Sequence, residues 1–128
     1  SLIELSSPIV TIWEKVLTIP IIGILDSNRT QTIMENLLSR IVETGSKIAI
    51  IDITGVGIID TQVANHLLKT VSAVKLLGAD AIITGIRPEV AQTIVNLGVE
   101  LGTVITRATL ADGLNYAFKA LNLKIVKG

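Results

Sequence analysis

From Asp52 to Thr61 the sequence reads Asp-Ile-Thr-Gly-Val-Gly-Ile-Ile-Asp-Thr, which gathers two carboxylates, two hydroxyls and two glycines into ten residues. Gly55 and Gly57 begin the pattern G-x-G-x-x-G, in which backbone amides at a helix start hold a pyrophosphate. The third position is Asp60, whose charge repels a pyrophosphate, and the loop carries no basic residue. A turn that needs two flexible residues fits better, and no cofactor is expected. Asp52 and Asp60 could converge at a strand end and a helix start, as a pair for acid–base work or to hold a cation. The plainer roles are preferred: Asp60 as a helix cap, and Asp52 as a strand-end residue bonding loop amides. His66 is the sole histidine and cysteine is absent, so poly-His and thiolate metal sites are excluded and no metal is expected. Nucleophilic catalysis needs a nucleophile, a base and an orienting group together. His66, one turn into a helix, reads as an ordinary helix residue, and no catalytic residue is assigned.

Two threonines point to a different chemistry. Thr61 falls in the first turn of a helix beside its cap, where unsatisfied N–H groups and the helix dipole favour an anion. A phosphate added there is stabilised locally and leaves the helix intact. Thr93 lies away from the centre of the apolar stripe formed by Val90, Ala91, Ile94 and Val95. It is expected to face solvent, open to a partner.

The elements that must position these residues follow from periodicity. Pro8 to Trp13 and Val16 to Leu25, rich in Val, Ile and Thr and split by Glu14-Lys15, predict an antiparallel hairpin. Asp26-Ser27 opens a helix with the stripe Ile33, Met34, Leu37, Leu38, Ile41 and Val42, stopped at Gly45. Lys47 to Ile53 is a near-continuous aliphatic run, as expected of a strand buried on both faces. Val63, Ala64, Leu67, Leu68, Val71, Val74 and Leu77 make a second helix, closed by Gly78. Ala81 to Thr84 is a further strand. Arg87-Pro88 opens a third helix, with proline at the first turn where its missing N–H costs nothing. Leu101 to Val104 is read as a short strand, and Ala108 to Leu121 as a last helix. The order β-β-α-β-α-β-α-β-α implies one α/β domain spanning 1–128, with a mixed, mostly parallel sheet and an N-terminal hairpin.

Composition narrows the function classes. The 128 residues carry 11 basic and 11 acidic side chains and three aromatics, which leaves neither an electrostatic footprint nor a stacking platform for nucleic acid. Hydrophobic residues reach 49%, yet no apolar run approaches the roughly 20 residues of a membrane span. The surplus apolar surface predicts an efficiently buried sheet together with a subunit interface. No secretory leader is visible, and a cytoplasmic protein is expected.

The blocks Ile51-Asp52-Ile53-Thr54-Gly55-Val56 and Ile59-Asp60-Thr61 resemble the STAS family, with its strand, loop and Asp-Ser/Thr at a helix start. Gly85-Ile86-Arg87-Pro88-Glu89-Val90-Ala91-Gln92-Thr93-Ile94 and Asp26-Ser27-Asn28-Arg29-Thr30 resemble more narrowly the RsbR group of stressosome proteins. The likeness runs from Pro8 to about Leu121. It implies phosphorylation by a serine/threonine switch kinase at Thr61 and at Thr93. It also makes Asp52, Thr54, Gly55, Gly57, Asp60, Arg87 and Pro88 the loop surface that meets partners.

The resemblance implies a non-catalytic scaffold that assembles with a smaller STAS partner and sequesters the kinase until stress releases it. A homodimer and a larger assembly follow from that role. RsbR-type proteins carry an N-terminal sensor domain, so the chain is expected to be the C-terminal part of a longer protein. Free-standing anti-sigma-factor antagonists usually show Asp-Ser-Ser-Gly, whereas this chain has Asp60-Thr61-Gln62-Val63. That departure favours the scaffold over the antagonist, and a nucleotide-binding STAS module stands further behind.

Overall fold

The computed structural model describes residues 8–98, 104–123 and 126. Strands β1 (Val10–Trp13) and β2 (Val16–Ile22) form the expected antiparallel hairpin, with Val10 opposite Thr18. Pro20 sits where β2 has run past the end of β1, and the register with the next strand shifts between Pro20 and Ile22. A proline is tolerated at such a place because fewer ladder bonds need its missing N–H. β2 therefore ends at Ile22, short of the Leu25 expected from the apolar run, and Leu25 serves as a buried anchor beyond it.

Helix α1 (Ser27–Thr44) begins where the Asp26 carboxylate accepts a 2.8 Å bond from the Arg29 amide, and ends at Gly45 in the left-handed conformation. β3 (Ile48–Gly55), α2 (Thr61–Leu76), β4 (Asp80–Thr84), α3 (Pro88–Asn96), β5 (Ile105–Arg107) and α4 (Leu110–Ala120) complete the order. The last strand is displaced from its expected place. Val104 lies outside it, Leu101–Thr103 lie outside the described residues, and Ile105–Arg107 pair with Ile82–Thr84. β5 is an edge strand, half-buried at Ile105 and exposed at Thr106 and Arg107.

The sheet runs β1-β2-β3-β4-β5 in chain order, parallel from β2 onward. Successive right-handed crossovers that step in one direction place their helices on one face. Accordingly Ile33, Leu37 and Ile41 of α1, Val63, Leu67 and Val71 of α2, and Val90 and Ile94 of α3 share one core with Leu17, Ile19, Ala49, Ile51, Ile53, Ala81 and Ile83. The alternate residues Val16, Ile48, Ile50 and Ile82 face the other way, against Ala117 and the half-buried Leu110 and Leu114 of α4. β3 is thus buried on both faces, as its unbroken aliphatic run predicts. Helix α4 is also tied to both edge strands. Phe118 meets Trp13 of β1 edge to face at 6.4 Å, and Arg107 of β5 lies 4.7 Å over the Tyr116 ring.

Candidate functional site

The site lies at the C-terminal ends of β3 and β4, where the chain turns into α2 and α3. Asp52 is half-buried there, and its Oδ1 accepts a 2.6 Å bond from the Thr84 hydroxyl and a 3.0 Å bond from the Thr54 hydroxyl. Asp52 and Thr84 are register partners, and Thr84 is fully buried. The carboxylate therefore ties hydroxyls of two strands together, instead of the loop amides expected of it. Asp60 acts separately, its Oδ1 accepting a 2.8 Å bond from the Val63 amide and so capping α2 as expected. The two carboxylates are committed to different partners, and among the described residues no group of three or more potential ligands could hold a metal.

The loop between them is fixed by its own side chains. Val56 and Ile59 are buried anchors, the Val56 amide bonds the Ile53 carbonyl at 2.9 Å, and the Gly55 carbonyl accepts from the Gly23 amide at 3.2 Å. Between the anchors Ile58 projects outward, 75% exposed, at the same end of the sheet as the exposed Ile22 and Ile24. Gly85 closes the other side. Its φ of +75° suits glycine, and a Cβ there would overlap the Thr54 side chain and stand 2.9 Å from the Thr54 Cα. This close approach lets Arg87, at the head of α3, donate from Nε to the Thr54 carbonyl at 3.0 Å. Pro88 then occupies the first turn of α3, as the sequence predicts.

Thr61 is the first residue of α2 and is exposed, one position after its cap. Its hydroxyl makes no hydrogen bond among the described residues. Thr93 differs from expectation. It is half-buried, and its hydroxyl donates to the Glu89 carbonyl at 3.1 Å, with the Ile59 carbonyl at 3.4 Å as a second acceptor. The reason lies in the stripe. Val95 is 67% exposed and only Val90 and Ile94 of α3 are buried. At about 100° per residue the buried centre therefore moves to within about 80° of Thr93. Thr93 rests on the flank of α3 that meets the carbonyl immediately before the α2 cap. The structure thus brings Asp52, Thr54, Gly55, Gly57, Asp60, Thr61, Arg87, Pro88 and Thr93 to one end of the fold. Thr84 belongs with them, and only its place at a strand end could have signalled that. His66 is half-buried in α2, as an ordinary helix residue would be.

The STAS domain family matches residues 7–113. The chain belongs to the STAS domain family. Within it, this STAS domain is of the RsbR type: it is 46% identical over 123 residues to the RsbT co-antagonist protein RsbRA of Bacillus subtilis (strain 168), an alignment covering 96% of this chain and 45% of that protein. The STAS domain spans about half the length of the curated relatives it matches. Its fold superposes on a variant of RsbS from Moorella thermoacetica with a TM-score of 0.80 at 27% identity, covering 91% of this chain and 98% of that one. A chain of the stressosome, described as a signal integration and transduction hub, superposes with a TM-score of 0.78 at 27% identity, covering 91% and 100%. Among the described residues no helix of the STAS domain is long and apolar enough to cross a membrane.

Proposed function

We propose that this domain is a non-catalytic, phospho-regulated scaffold of a cytoplasmic stressosome, in which Thr61 is the substrate of a serine/threonine switch kinase. The observation that carries this reading is the exposed Thr61 at the capped start of α2, on a chain 46% identical to an RsbT co-antagonist protein. A hydroxyl at that position can be phosphorylated without disturbing any bond of the fold. The product phosphate then meets the N–H groups and positive dipole end of α2. Ile22, Ile24 and Ile58, all exposed at the same end, give a protein partner apolar ground to dock on. Arg87, Thr54 and the Gly55–Gly57 turn hold that ground in place. Thr93 is a second substrate whose hydroxyl must first leave the Glu89 and Ile59 carbonyls. The domain assembles with a smaller STAS partner and holds the kinase until modification releases it. The test is to incubate the chain with the switch kinase and ATP and map modified residues by mass spectrometry. Phosphate on Thr61, lost in Thr61→Ala, supports the reading; equal labelling of a Thr61→Ala/Thr93→Ala variant refutes it.

A further inference from the structure

Glycine is a poor helix former, yet Gly113 sits inside the 11-residue helix α4 with ordinary helical backbone. A close approach explains it. Gly113 is buried, and a Cβ there would stand 2.6 Å from Cγ2 of Thr84, 3.6 Å from Cγ2 of Ile50 and 3.9 Å from Cγ2 of Ile82. Of these contacts only the one with Thr84 forbids a side chain. Thr84 is fully buried at the end of β4, and its two branches have separate duties. The methyl lies under α4, and the hydroxyl donates to Asp52 Oδ1 at 2.6 Å. A β-branched side chain is stiff about χ1, so the methyl cannot swing without turning the hydroxyl. The same Asp52 oxygen accepts from the Thr54 hydroxyl at 3.0 Å. Thr54 is where β3 gives way to the loop that ends at Thr61, and its carbonyl accepts from Arg87 at the head of α3. The contacts therefore run from α4 on one face of the sheet to α2 and α3 on the other.

We propose that Thr84 is a positioning residue for the phospho-acceptor loop and that α4 sets it through Gly113. The seating of a helix on one face of the sheet thereby fixes how Thr61 is presented on the other. The role in phosphorylation rests on the reading of Thr61 as a kinase substrate; the relay from Gly113 through Thr84 and Asp52 to Thr54 does not. Gly85 and the relay have different tasks at Thr54. Gly85 lets α3 approach its backbone, whereas the relay holds its side chain and the end of β3 behind it. When α4 lifts or slides, the Thr84 methyl loses its backing and the hydroxyl is free to leave Asp52. Thr54 then keeps only the Gly85 packing and the Arg87 bond, and the loop from Gly55 to Asp60 loosens at its root. Thr84 is buried and meets no kinase, so its effect on Thr61 passes entirely through Asp52 and Thr54.

Amide hydrogen exchange and labelling of Thr61 by the switch kinase, read on one set of variants, are the test. Thr84→Val keeps the shape under α4 and deletes the hydroxyl. Exchange from Gly55 to Thr61 should rise about tenfold, the factor for losing a hydrogen bond to a charged group, and by more than in α1, which reports global opening. The kcat/KM for labelling Thr61 should fall by a similar factor. Thr84→Ser keeps the hydroxyl and should stay within about twofold of the parent in both readouts. Gly113→Ala presses on the methyl and should behave like Thr84→Val. Adding Thr84→Ser to Gly113→Ala removes the methyl that the new Cβ meets and should bring both readouts back towards the parent, a rescue that general destabilisation would not show. The Thr84→Val and Thr84→Ser pair decides alone if Gly113→Ala does not fold. Parent-like exchange in Thr84→Val, or a double variant no better than Gly113→Ala, overturns the relay. Faster exchange with parent-like labelling overturns its hold on Thr61. The expected exchange pattern with a parent that the kinase leaves unlabelled supports the relay and refutes Thr61 as a substrate.

Discussion

Replacing Gly85 by alanine probes the contact on which the site's geometry depends. Gly85 has φ +75°, and left-handed backbone costs an L-residue about 1–2 kcal/mol. The added Cβ would overlap the Thr54 hydroxyl and lie 2.9 Å from both the Cα and the Cβ of Thr54. A hydroxyl can rotate away, but the Cα belongs to β3, so the strand end itself must shift. Overpacking of that kind costs about 1–3 kcal/mol. The two terms together predict a loss of about 2–5 kcal/mol, read by urea unfolding followed by circular dichroism with an unchanged slope. The shift also draws the Thr54 carbonyl away from Arg87 Nε, so kinase labelling at Thr61 should fall as well. Adding Thr54→Ala to Gly85→Ala removes the hydroxyl overlap and should recover only part of the stability. A loss below about 1 kcal/mol, or full recovery in the double variant, would refute the backbone contact as the cause.

The remaining predictions are smaller in magnitude. Thr61→Glu places a carboxylate in the first turn of α2 and should change stability by no more than about 1 kcal/mol in chemical denaturation; a loss above about 2 kcal/mol would mean that Thr61 is held by the fold. Asp60→Ala removes the cap bond to the Val63 amide and should cost about 1 kcal/mol, measured the same way. In a labelling time course Thr93 should be phosphorylated more slowly than Thr61, because its hydroxyl must leave two carbonyl acceptors. Thr93 modified as fast as Thr61 would sink that argument.

Elements with a strong local signal were legible in the sequence. Asp26, Asp60 and Pro88 mark helix starts because capping is decided within a few residues, and Gly45 marks a stop for the same reason. β3 showed itself because burial on both faces leaves no polar alternation. Three features were hidden. The edge strand β5 pairs on one side only, so Ile105–Arg107 carries little apolar signature. The helical stripe assigned Val42, Leu77 and Val95 to the core, since periodicity reports what a helix can bury rather than what the neighbouring helix covers. That same overcount turned Thr93 outward. The bond from Thr84 to Asp52 joins side chains 32 residues apart, and no local pattern encodes it.

The chain-order sheet has a consequence for how the protein is made. Each of β2 to β5 docks on the strand just before it, so the sheet can grow from the N-terminus as the polypeptide emerges, and α1, α2 and α3 cover one face as they go. The other face waits. Val16, Ile48, Ile50 and Ile82 are aligned before α4 exists to cover them. A nascent or truncated chain that stops before Leu110 thus presents an aliphatic strip to the chaperones and proteases that recognise such surfaces. Closure comes with the docking of α4, which sets Ala117 on the strip and reaches Trp13 at one edge and Arg107 at the other. Burial of that face therefore waits on the synthesis of α4, and a chain that lacks this helix keeps the strip exposed.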